Sequence, residues 1–365
     1  MFKQIRKLIN KLKDEEIFCS AKDEQDILMY LETKYGYKPF SFNETGEKGI
    51  KLLEYVLELT RLMLINFNKL IPKKTKKKLY FFFVDDKTIN AFTTRINNID
   101  VIGINIGVLT VLYDFYYKVV EEEIFPEIQS DLEGKKDLVF RLQIMSILYI
   151  ICHEVGHLYN GHIGYNKMDF MQEINKLSEK KRNEIIFRKT IELDADAFAM
   201  NRMLEYNESL IKVKSETKNQ LSQYESIEYS YKILLFSMYS FYLFLGETFK
   251  KEMIKKSTYF SPAIRQLLNL TIAREFVAKK RPEFINEIDG IIDYLLLHGD
   301  FMMDRFKLYK RNDKDEQKYI LNKLIYFESM ELQEEMLLVR KHWNLVRSDL
   351  QKNARVILSP EYQLD

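Results

Sequence analysis

Only 12 glycines and 6 prolines interrupt this chain of 365 residues, and long stretches contain neither. Glycine weakens a helix through its backbone entropy, and proline through its missing N–H and its ring. In the stretches that lack both, apolar residues recur at helical spacing, so the chain is expected to fold mainly as α-helices. Two segments depart from that texture. Residues 79–84, Leu-Tyr-Phe-Phe-Phe-Val, form a compact aromatic run bounded by Asp85 and Asp86, and residues 99–106 alternate around Gly103. Both read as strands. The expected class is α+β, predominantly α-helical, with a small β-sheet.

The same reading divides the chain. Residues 1–71 read as an N-terminal helical region broken near 35–49, and residues 72–78 as a basic connector, Pro-Lys-Lys-Thr-Lys-Lys-Lys. That connector is read as a solvated linker. Residues 79–270 form the expected catalytic core. Within it, Thr88 to Phe92 and a polar turn separate the two strands, and helices are expected over 107–123, 137–160 and 184–206. Asp137 stands where an N-cap would, and Gly161 where a left-handed C-terminal stop would. Residues 271–365 read as a C-terminal helical region with breaks at Arg281-Pro282 and at 312–315.

Charge and cysteine content exclude several classes. Lys and Arg (56) nearly cancel Asp and Glu (54), which leaves +2 and no global basic field, so no nucleic-acid partner is expected. Two cysteines, Cys19 and Cys152, are too few for a disulfide framework. The longest apolar run, 233–245, has 13 residues. A membrane-spanning helix needs about 20, so the run is read as a buried helix and no membrane span is expected. The first 17 residues carry Lys3, Arg6, Lys7, Lys11 and Lys13 without the apolar stretch of a signal peptide. The expected location is cytoplasmic.

The residues that carry chemistry lie in His-Glu-Val-Gly-His, 153–157. Four residues along an α-helix rotate a side chain by only about 40°, so His153 and His157 can reach one metal ion. Glu154 lies about 100° round from His153, where its carboxylate can reach a water on that metal without occupying it. Zinc suits such a site, because catalytic zinc takes three protein ligands, keeps one position open and acidifies water there. Glu154 is therefore the expected general base. One zinc ion per chain is expected.

A third ligand is expected in Thr-Ile-Glu-Leu-Asp-Ala-Asp-Ala-Phe-Ala, 190–199. Glu192 and Asp196 share a helix face, so Glu192 can ligate while Asp196 accepts the spare N–H of a ligating histidine. Asp194 points to the opposite side. Asp194 or Asp196 is the alternative carboxylate ligand. A metzincin site would need glycine and histidine three and six residues after His157, where this chain has Asn160 and Ile163. His162 is read as a helix-end or surface histidine, His298 and His342 as incidental, and Cys152 as a buried apolar thiol.

With these motifs in place, the chain resembles the gluzincin metallopeptidases. His-Glu-Val-Gly-His followed by Glu-Leu-Asp-Ala-Asp is similar to the CAAX prenyl protease and HtpX class, and to soluble Lit-type phage-exclusion peptidases that cleave a host translation factor. The resemblance covers roughly residues 79–270 and implies a zincin-like core acting on a peptide or protein substrate. It also implies that Asn90, Ala91 and Phe92, with Ile102 and Ile104, form a sheet edge that binds extended substrate by main-chain hydrogen bonds. Ser-Pro-Ala-Ile-Arg, 261–265, is similar to a downstream element of the class and implies a structural role for Arg265. Two competing readings are a catalytically degenerate scaffold that serves as a regulatory or protein-binding module, and a metal-dependent hydrolase of a non-peptide substrate. The C-terminal helices are expected to cover the site or to recruit substrate or a regulatory partner.

Overall fold

The computed structural model describes residues 18–41, 47–69, 71–121, 125, 132–165, 170–172, 182–216, 226–244, 260–305 and 329–362. Helices α1 (Ala21–Tyr35) and α2 (Glu47–Lys69) precede strands β1 (Leu79–Val84), β2 (Ala91–Ile96) and β3 (Ile99–Asn105). Then follow α3 (Ile106–Glu121), α4 (Leu132–Tyr159), β4 (Phe170–Gln172), α5 (Arg182–Glu216), α6 (Ile227–Phe244), α7 (Pro262–Lys280), α8 (Ile285–Arg305) and α9 (Met330–Asn353). The predominantly helical α+β class expected from the sequence is the one observed.

These elements group into two compact units that interleave along the chain. One takes residues up to Thr110, 154–175 and Arg347–Pro360; the other takes 111–153, 176–346 and 361–365. Both units draw on the expected 79–270 core and on the expected C-terminal region. The break expected at 312–315 lies outside the described residues.

In the first unit the strand order is β1-β3-β2-β4. β1 runs parallel to β3, while β2 is antiparallel to both β3 and β4. Asn97 and Asn98 make the β2–β3 hairpin with φ of 48° and 63°. Asparagine tolerates that left-handed backbone, and two such residues suit a tight hairpin. The sequence gives no strand signal for β2, because its Thr-Thr-Arg centre lacks a long apolar run. Thr93 and Thr94 are nonetheless buried, and Thr93 donates its hydroxyl to the Val101 carbonyl at 3.1 Å.

α1 covers one face of this sheet. Ser20 and Asp23 form a capping box at its start. Its Ile27 and Leu31 pack with Phe82, Val84, Phe92, Ile96, Ile99 and Val101. The Tyr37 ring stacks on Phe92 at 4.7 Å. Phe92 lies opposite Gly103 in register, and a Cβ at Gly103 would meet that ring at 2.4 Å, so the bulk of Phe92 requires glycine across the strand.

This topology locates the residues of the expected sheet edge. Ile102 and Ile104 sit on the interior strand β3, bonded to β1 on one side and β2 on the other. Ala91 and Phe92 open β2, whose outer side pairs with β4 from Phe92 to Thr94. β4 is a three-residue strand with no sequence signal of its own.

The second unit is helical. Ser261 caps α7 and Pro262 occupies its first turn. Ile186 of α5, Phe260, Ile264 of α7 and Leu332 and Val339 of α9 make one apolar cluster. α6 is the apolar run read as a buried helix, with Ile233 to Tyr242 buried throughout and Lys232 half-buried at its edge. By length and composition alone, one described helix, Gly134–Tyr159, is apolar enough to cross a membrane, and 83% of its most apolar 18-residue stretch is buried inside the protein. α4 begins at Leu132, so Asp137 lies inside the helix rather than at its cap, and its carboxylate pairs with Arg141 at 2.5 Å. Four residues of spacing make that pair available on one face.

Candidate metal centre

α4 carries His153, Glu154 and His157, all at most 2% exposed. α5 supplies Glu192 and Asp196, each 1% exposed, while Asp194 is only half-buried on the opposite face. His153, His157 and Glu192 offer ligand atoms that all lie within 4.8 Å of one another, a buried group that could hold a metal ion. The Nε2 atom of His153 is 3.4 Å from Oε2 of Glu192. Tetrahedral zinc ligands at about 2.0–2.1 Å from the metal lie about 3.3–3.4 Å apart, so this spacing already fits.

Nδ1 of each of these two histidines has a neighbour of its own. Nδ1 of His153 is 2.9 Å from Oδ1 of Asp196. A carboxylate accepts, so this neighbour selects the tautomer with hydrogen on Nδ1 and leaves Nε2 free to ligate. Nδ1 of His157 is 2.9 Å from Nδ1 of His162, with the rings steeply inclined at 66°. His162 stands at the helix end as expected, but it is fully buried rather than on the surface. Its spacing of five residues from His157 follows no helical face, so the sequence does not pair the two. Gly161 ends the helix with φ of 82° and turns the chain so that His162 comes back over His157.

Asp196 anchors a buried network. Arg265 grips it with two hydrogen bonds of 2.7 Å, from Nε to Oδ2 and from Nη2 to Oδ1. Tyr242 donates to Oδ1 at 2.8 Å, and the Tyr149 and Tyr242 hydroxyls are 2.8 Å apart. Asn269 donates to the Tyr242 hydroxyl at 3.3 Å. Burial alone would raise the Asp196 pKa, but the Arg265 guanidinium and the His153 ring hold it well below the usual carboxylate range. Arg265 also approaches Oε2 of Glu192 at 3.7 Å. The structural role implied for Arg265 therefore has a definite form: it is the bidentate partner of Asp196. Tyr149 and Tyr242 carry no distinguishing sequence signal, because 23 tyrosines offer no means of choice.

Charge supports a cation here. Glu154, Glu192 and Asp196 are buried, and Arg265 is a guanidinium beside two of them. When ionised, the three carboxylates outnumber that guanidinium, and burying negative charge is expensive unless it is paired. A divalent cation on the two histidines and Glu192 would bring the balance closer to neutral.

The remaining histidines lie elsewhere. His298 stacks on Tyr294 at 4.2 Å in α8, and His342 of α9 meets Phe187 at 5.8 Å. Cys152 is 1% exposed, and burial pushes its thiol pKa far up, which fits an inert apolar thiol.

The fold and the site together describe a mainly helical protein with a buried His-His-Glu group and a glutamate next to it in sequence. Residues 114–271 match the family model described as Peptidase U49, which supports a peptidase of the metal-dependent kind. That segment contains α4, α5 and Arg265. No curated protein and no solved structure matches the chain.

Proposed function

We propose that this chain is a cytoplasmic zinc-dependent endopeptidase of gluzincin type, selective for a protein substrate. The observation that carries the proposal is the buried His153–His157–Glu192 donor group. The Peptidase U49 match over 114–271 supports hydrolysis of peptide bonds. The resemblance to Lit-type enzymes adds a phage-defence setting to the proposal.

His153, His157 and Glu192 would hold one zinc ion. Bound there, zinc supplies a Lewis acid and water acidified to a pKa of about 7. Glu154 is the proposed catalytic base: its carboxylate accepts a proton from the attacking water and passes it to the departing amine. Its burial keeps bulk water away and strengthens each electrostatic contact it makes. Asp196, held by Arg265 and Tyr242, keeps the His153 ring and its tautomer in place. Asn90 and Ala91, which precede the β4 pairing that begins at Phe92, are the proposed place for an extended peptide, with Phe92 bounding it. Ile102 and Ile104 lie behind it on β3.

The test compares new protein N-termini between wild type and Glu154→Gln in the native host, with zinc measured on both purified proteins. We expect about one zinc per chain in each and a fall in cleavage of about 10²–10⁴-fold in the variant, as for loss of a general base. Cleavage that persists in Glu154→Gln would remove the peptidase reading. New termini absent from both strains, with zinc bound, would favour the regulatory binding module instead.

A further inference from the structure

The turn that follows the metal-bearing helix is held by residues far away in sequence. The last carbonyls of any α-helix have no partner within it. In α4, the His157 carbonyl accepts the N–H groups of His162 at 3.0 Å and Ile163 at 3.4 Å. The Tyr159 carbonyl instead accepts the backbone N–H of Arg355 at 2.7 Å. Arg355 also lays its guanidinium over the Tyr159 ring, 5.4 Å from the centroid. The end of α9 comes so close that a Cβ at Gly161 would sit 2.4 Å from the Leu350 carbonyl oxygen and 2.7 Å from the Ala354 nitrogen. With φ of 82° as well, only glycine fits that position without displacing backbone.

One carboxylate joins the two arginines around this turn. Asp100 of β3 is fully buried. It accepts Nε of Arg95 at 2.9 Å and Nη2 of Arg355. Arg95 in turn points Nη1 at the Ile163 carbonyl, at 3.5 Å. The segment 159–163 is thus gripped at Tyr159 by Arg355 and at Ile163 by Arg95, and Asp100 locks the two guanidinium groups together. Between those grips lies His162, whose Nδ1 meets Nδ1 of His157.

We infer that the Arg95–Asp100–Arg355 cluster is a positioning device for the metal site: it seats the turn that carries His162 and so aims the His157 ring. Arg355 is the decisive positioning residue, because it grips the turn through backbone, guanidinium and ring contact together. The inference rests on the metal reading of His153, His157 and Glu192. Its physical basis is that groups orienting a ligating histidine set metal affinity, with losses of about 10–100-fold on their removal.

The full chain is purified as wild type, Arg355→Met, Arg355→Lys and Arg281→Met. The last breaks an ion pair with Glu208 elsewhere in the protein and controls for general destabilisation. Zinc affinity is measured by chelator competition, and the cobalt-substituted forms by their visible absorption spectra. We expect Arg355→Met to weaken zinc binding about tenfold and to alter the cobalt spectrum, Arg355→Lys to recover part of the loss, and Arg281→Met to bind as wild type. If Arg355→Met does not fold, Arg355→Lys carries the comparison, with a weaker but measurable loss expected. Unchanged zinc affinity and cobalt spectrum in the folded Arg355 variants would overturn the positioning role, as would an equal loss in Arg281→Met. A wild type that binds no zinc would instead sink the metal reading itself.

Discussion

Nδ1 of His157 meets another histidine, where Nδ1 of His153 meets a carboxylate. The two ligand candidates are therefore oriented by different chemistry. Asp196 can only accept when ionised, a form that Arg265 favours, and this favours hydrogen on Nδ1 of His153. His162 can donate or accept, so one of the two Nδ1 atoms must carry the hydrogen. Replacing His162 with Ala removes that contact, and zinc affinity should fall about 10–100-fold while Glu154 stays in place. Chelator competition measures this, and affinity equal to wild type would exclude His162 from the site. Helical spacing alone makes His153, Glu154, His157, Glu192 and Asp196 legible in the sequence. His162 is not legible as a partner, because its proximity depends on the left-handed Gly161.

Helices α5 and α9 are joined by a different buried pair. Lys189, fully buried, donates to Glu335 at 2.6 Å and lies over the Phe260 ring at 5.0 Å. Burial lowers its pKa and the Glu335 carboxylate opposes that shift. Removing one partner strands a buried charge, so Lys189→Met should cost about 3–5 kcal/mol in denaturant unfolding. Lys189→Met with Glu335→Leu should recover most of that loss, since an apolar pair of similar volume is often neutral or better. A double variant as unstable as the single one would show that the pair itself contributes net stability. Other features at this scale divide by the length of their signal. β1, β3, α4 and α5 are legible from long apolar or periodic runs. β2 and β4 are not, because burial of Thr93 and Thr94, and the pairing of three residues at 170–172, come from neighbours distant in sequence.

Over the whole molecule, the C-terminal residues Arg347–Pro360 group with the sheet and with 154–175 rather than with the helices that precede them. Arg355 reaches both Asp100 and Tyr159. A chain ending at Val346 should therefore lose protection at β2 and β3 amides, read by hydrogen exchange, because Asp100 is then buried with one cation fewer. Protection equal to that of the full chain would show the sheet to be independent of this segment. The sequence by itself determined the helical class, two of the strands and the spacing that puts two histidines and two carboxylates on two helix faces. These are local properties, set by 3.6-residue and two-residue periods within one segment. Only the tertiary structure decided that β3 is interior, that Arg265 and Tyr242 brace Asp196, and that His162 and Arg355 belong beside the end of α4. Those placements depend on burial and charge pairing between residues as much as 255 positions apart, which no local period encodes.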